Sequence, residues 1–163
     1  SGVALQVMGE EEGFAYMEEL DQQMLEYTAR GSACIASVAQ GEVAVGICFM
    51  HDAIKYILTN DTADFMGIVT PSEGTGYETG ATAILADGPD QEEAKAFMEW
   101  NLTPEAMEIG RQYGAYQFVT NVNATQPDEA ATLEGAKLIV YDTAYAGSNR
   151  EAFTARRAQS VGR

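Results

Sequence analysis

Between Glu42 and Phe49 the chain reads EVAVGICF, an apolar run rich in β-branched residues and free of polar alternation. Such a run has the look of a strand buried on both faces, which parallel sheets require and half-wet antiparallel sheets do not. It stops at Met50-His51-Asp52, and helix-forming residues follow to Leu58. A strand feeding a helix is the repeating half of a parallel arrangement, so the expected fold class is α/β.

The rest of the chain is read on the same terms. Phe14, Met17, Leu20, Met24 and Tyr27 fall at helical intervals over residues 10–30, with Gly31 as the stop. Leu5 and Met8 mark an earlier helical turn. Ser32 is placed to cap a short helix through Ile35 and Val38 that ends at Gly41. The sequence predicts a short helix over 52–58, a second strand over FMGIVTP (65–71) and a third over ATAILA (81–86). Asp90 and Glu93 resemble a capping box ahead of the next helix. Thr103-Pro104 restarts a helix that reaches about Tyr113-Gly114. AYQFVTN (115–121) and KLIVYDTAYAG (137–147) read as extended, and Asn149 opens a terminal helix.

The chain has 163 residues, enough for one domain with a proper core. Its 25 acids against 9 bases give a net charge of -16. No basic stripe exists to neutralise phosphates, which argues against nucleic acid, and against anionic lipid surfaces equally. Cys34 and Cys48 are too few for a disulfide scaffold, and they do not resemble a zinc site. Their apolar surroundings favour buried free thiols, although the sequence is compatible with a bond between them. Trp100 and the methionines fall at core spacing and are read as packing.

Three residues could carry chemistry. His51, the single histidine, and Asp52 stand at the carboxyl end of an expected strand, where parallel sheets collect ligands. The competing reading makes Asp52 a simple helix cap. Glu73 lies in the Gly-rich turn PSEGTGYETG (71–80), whose backbone N–H groups, hydroxyls and carboxylate can converge on one point. That turn is followed by an expected strand, so it is no dinucleotide fingerprint, and it lacks the Lys of a phosphate-binding P-loop. The three residues show no recognised metal-ligand spacing, and no catalytic metal or other cofactor is expected. A metal-assisted hydrolase built on His51, Asp52 and Glu73 is the enzymatic alternative.

The stretches YTARGSACIASVAQGEVAVGICFMHDAIKYI and IVTPSEGTGYETGATAILADGPDQEEAKAFMEWNLTPEAMEIGRQYGAYQFVTN, followed by YAGSNREAF, resemble the C-terminal half of an extracellular solute-binding protein of an ABC transporter. The resemblance is to the group that includes ferric-iron, hexose-phosphate, phosphoglycerate and 2-aminoethylphosphonate binders. It implies an incomplete type II periplasmic-binding-protein fold with three-layer α/β/α character. Residues 1–66 would belong to the C-terminal lobe, 67–76 would form the interlobe crossover and ligand loop, and 77–163 would return toward the N-terminal lobe and end in the terminal helix. The Ser-Gly-Thr helix start that precedes the VMGEEEGFAYM segment in such proteins has no counterpart here. A fragment is therefore expected, with apolar surface exposed and self-association as a result.

The resemblance also implies a non-enzymatic role. Iron-binding members use paired tyrosines where this chain has Phe49-Met50-His51-Asp52, so ferric iron is disfavoured. His51, Asp52 and Glu73 match the hexose-phosphate branch, with carboxylates accepting from hydroxyls of the solute. Ser32 and Thr75 are the candidates to hold a phosphate together with helix N-termini. An amine-bearing phosphonate is the nearest rival. The implied partners are a small anionic solute and a membrane permease, in a periplasm or on a lipid-anchored surface protein. A ligand-sensing subunit for a membrane kinase is the alternative role.

Overall fold

The computed structural model describes residues 2–62, 64–133 and 135–160. They form two compact units, one drawn from residues 1–27, 69–77 and 135–163, the other from 28–68 and 78–134.

In the first unit, α1 (Gly2–Met8) folds back on α2 (Glu10–Gln23), α2 packs on α8 (Arg150–Ser160), and α8 packs on α7 (Thr143–Ser148). The core is Leu5, Phe14 and Met17, with the Phe153 ring edge-on to Phe14 at 6.2 Å. Gly13 makes the α1–α2 approach possible, since a Cβ there would stand 3.0 Å from the Leu5 backbone. Arg156 lies 4.1 Å over the Phe14 ring and donates two bonds to Glu11, at 2.9 and 3.1 Å. Gln6 and the Asp142 backbone exchange a reciprocal pair of bonds at 2.9 and 2.7 Å. Asp142 also caps α7 by accepting from the Tyr145 N–H at 2.8 Å. The Tyr145 hydroxyl donates to Glu10. The helix α2 ends at Gln23, well before Gly31, because Met24 turns to an extended conformation with its N–H on the Asp21 carbonyl.

The second unit holds α3 (Ala33–Ala39), α4 (Met50–Asn60), α5 (Gln91–Asn101), α6 (Pro104–Gln112) and a 3-10 helix (Asp128–Leu133). Ile35, Ala53, Ile54 and Ala130 are buried there. The Thr103 hydroxyl accepts from the Ala106 N–H at 3.3 Å and Pro104 opens α6, as the sequence predicts. Asp90 occupies the N-cap of α5 in the left-handed region and makes no side-chain cap, so the expected capping box is not formed. Arg111 joins α6 to the 3-10 helix through Asp128 at 2.7 Å and Glu129 at 2.9 Å. Gln126 and Val119 exchange bonds of 2.9 Å each, which fold residues 119–126 onto themselves. Trp100 is not core: it is 46% exposed and meets Phe97 at 5.6 Å.

Helices form in each stretch read as helical, although α2 stops short and α7 falls in a stretch read as extended, whereas no strand is assigned among the described residues. The three expected strands 42–49, 65–71 and 81–86 run without a ladder, and so does 115–121; of the segment 137–147, the end becomes α7. An isolated parallel bridge joins Thr75 to Leu138. The three-layer α/β/α character is therefore not seen in these residues. The cause lies in pairing: an extended backbone becomes a strand only beside a partner that takes up its N–H and C=O groups. Residues 45–49 nonetheless alternate in the manner of a strand. Gly46 and Cys48 face inward, while Val45, Ile47 and Phe49 are 79, 64 and 55% exposed. The run expected to be buried on both faces is covered on one.

Candidate functional site

Of the predicted ligand residues, Ser32, His51 and Asp52 lie in the second unit, Glu73 and Thr75 in the first. Within the second unit the site begins at α4. This helix starts at Met50, two residues earlier than expected, with Phe49 as N-cap and no side chain bonded to the free amides. Asp52 therefore sits in the first turn and is not the cap. Capping alone does not account for the pair. His51 Nε2 and Asp52 Oδ1 are 3.6 Å apart, too long for a hydrogen bond and close enough for attraction whenever the imidazole is charged. The imidazole lies stacked on the Phe49 ring at 5.6 Å and 20°, which fixes its plane. Both side chains are about one third exposed, so each keeps polar edge available to a solute.

Ser32 occupies the N-cap of α3, but its hydroxyl makes no cap bond and its backbone is helical. The expected capping role is thus unfilled and the hydroxyl is exposed.

In the first unit, Glu73, Gly74 and Thr75 form a tight corner beside 137–139. The Thr75 N–H donates to the Lys137 carbonyl at 2.8 Å, and the Ile139 N–H donates to the Thr75 carbonyl at 3.0 Å. Gly74 has φ 131°, and a Cβ there would stand 2.7 Å from the Ile139 side chain, so only glycine fits. The Ser72 hydroxyl donates to Glu73 at 3.1 Å. The Glu73 carboxyl is held below its ordinary range by its own backbone N–H first, then by Ser72 and by the charge of Lys137. Glu73 is fully exposed and ionised across the neutral range. Lys137 is the residue that reading along the chain missed. It stands among apolar neighbours in KLIVY, and only the parallel bridge brings it beside Glu73, a contact that no local spacing signals.

A cleft of about 370 Å³ in the second unit is lined by Ile84, Leu85, Phe97 and Met98, and another of about 350 Å³ by Met107, Arg111 and Gln117. None of the predicted ligand residues lines either one. Among the described residues, no three His, Cys, Asp or Glu side chains gather as a metal site, and no helix is long and apolar enough to cross a membrane.

A family model of bacterial extracellular solute-binding proteins matches residues 1–115. The chain belongs to this family. A relative from Haemophilus influenzae, named only as an uncharacterized protein, is 35% identical over 139 residues, which is 85% of this chain. The solute-binding protein described here spans 39% of that relative's length. No solved structure matches it. The family's description is of proteins that work outside the cell and bind a solute.

Proposed function

We propose that this chain is part of the substrate-binding component of an ABC importer and takes a small phosphorylated organic solute of hexose-phosphate, phosphoglycerate or phosphonate type. It binds the solute without transforming it. The observation that carries the reading is the first turn of α4, where His51 and Asp52 stand side by side at a helix start that no side chain caps. Free amide N–H groups at such a start favour an oxyanion, and the imidazole can donate to the same group. Asp52 and Glu73 accept from hydroxyls, or pair with the ammonium of an aminophosphonate. Ser32 and Thr75 contribute hydroxyls, and Lys137 adds the positive charge that the composition otherwise withholds. In this reading the whole protein has a type II periplasmic-binding-protein fold, and a membrane permease receives the solute.

Calorimetric titration tests this. This chain and the Haemophilus influenzae relative are each titrated with glucose 6-phosphate, 3-phosphoglycerate, 2-aminoethylphosphonate, inorganic phosphate and ferric citrate. Saturable binding of one organic phosphate or phosphonate, weakened about tenfold or more by His51→Ala in this chain or by the aligned substitution in the relative, is the expected result. That loss corresponds to about 1.4 kcal/mol. Tight ferric binding with no response to any phosphorylated solute would sink the proposal.

A further inference from the structure

We propose that Cys34 and Cys48 are a redox pair that closes into an intrachain disulfide in the oxidising surroundings where extracellular proteins work. Both are thiols in this structure, and both are half-buried. Cys34 stands in the first turn of α3, and Cys48 in the extended segment that leads into α4. The Cys34 thiol donates to the carbonyl of Ile47, the residue before Cys48, at 3.3 Å. Gly46 allows this approach: a Cβ at that position would stand 3.2 Å from the Cys34 carbonyl, 3.4 Å from the Cys34 Cβ and 3.1 Å from Val38. The alternation along 45–49 puts Gly46 and Cys48 on the same, less exposed side of the segment, and Gly46 meets α3 there. Two thiols on segments that approach this closely can be joined where their Cβ atoms come within disulfide range.

The chemistry has an order. Burial first, then the neighbouring Cys34 and finally the charge of Asp52, push the Cys48 thiol up to about 11, so it keeps its proton near neutrality. The exchange is written here with Cys34 attacking first. With oxidised glutathione as the oxidant, the Cys34 thiolate attacks one glutathione sulfur, the glutathione S–S bond breaks, and one glutathione thiolate leaves. The Cys48 sulfur then gives up its proton to solvent, attacks the Cys34 sulfur and expels the second glutathione thiolate. Two protein thiols are oxidised to one S–S bond, the two glutathione sulfurs are reduced, and they take up the two protons released. A disulfide-bearing oxidoreductase would serve by the same exchange. The bond would clamp α3 to the approach of α4, holding Ser32 and the His51–Asp52 turn in one frame. The inference stands apart from the identity of the solute.

The chain itself supplies the test. No Lys or Arg occurs between Gly31 and Ala53, and trypsin cutting after Arg30 and Lys55 releases both cysteines on one peptide. A second cut after Glu42 separates them unless they are bonded. The protein is equilibrated with excess oxidised glutathione, denatured, alkylated and digested. A peptide 31–55 two hydrogens lighter than its reduced form, unalkylated, and held together after the Glu42 cut until a reductant is added, is the expected result. Reduction should then lower the Tm by about 5 °C or more, with Cys34→Ser and Cys48→Ser at the lower value under both conditions. Alkylation of both cysteines after oxidation, glutathione retained on a single cysteine, or a bond found only between two chains would each overturn the proposal.

Discussion

Glu73 shows what a single residue's surroundings can be asked to do. Its folded-state pKa lies below the ordinary 4.5 because a backbone N–H, the Ser72 hydroxyl and Lys137 all favour the carboxylate. The sign follows from linkage. The small stabilisation is present above about pH 4.5 and fades as the pH falls through the lower folded value. Carboxyl NMR titration should place the Glu73 midpoint below 4.5, and Ser72→Ala should move it upward. An unmoved midpoint would show that the Ser72 bond does not form in solution. At this scale the sequence is informative about identity and poor about company. His51-Asp52 is legible because the two are adjacent in the chain and end an apolar run. Lys137 is illegible because its neighbour Glu73 lies more than sixty positions away and is reached only through the Thr75 bridge. The cap reading of Asp52 failed for a smaller reason: helix starts read from composition shift by a residue or two, and here that shift moves the carboxylate from the cap into the turn.

Helices and extended segments differ in how much of their cause is local. The helix α6 carries its own instructions, with Thr103 to cap and Pro104 to open, and it forms where expected. Thr103→Ala should cost about 1 kcal/mol, seen as a lowered denaturation midpoint with an unchanged slope. Phe14, at 2% exposure, is the anchor between α2 and α8, and Phe14→Ala should cost about 3–5 kcal/mol in the same measurement. Gly13→Val tests the α1–α2 contact: its side chain would meet the Leu5 backbone, so the variant should lose helical signal at lower temperature than the parent. The segments 42–49, 65–71 and 81–86 have the composition of strands but take their structure from partners that composition does not name. Their periodicity is visible in Val45, Gly46, Ile47 and Cys48, and their pairing is not. This is why the helical half of the expected α/β architecture could be read and the sheet could not.

At the scale of the whole molecule, the exposed apolar side chains have a measurable outcome. Val45, Val69, Leu85 and Val140 are 79, 85, 79 and 97% exposed, each on an extended segment without a ladder. Unpaired apolar segments associate, so light scattering should show a mass that rises with concentration, and Val45→Lys with Val140→Lys should suppress the rise. A constant monomer mass across the micromolar range would contradict this. The first unit joins distant parts of the chain: Gln6 to Asp142, Glu11 to Arg156, Phe14 to Phe153. A ribosome delivers the two ends of each such contact many seconds apart. Helices α1 and α2 thus wait, without their partners, until α7 and α8 have been made.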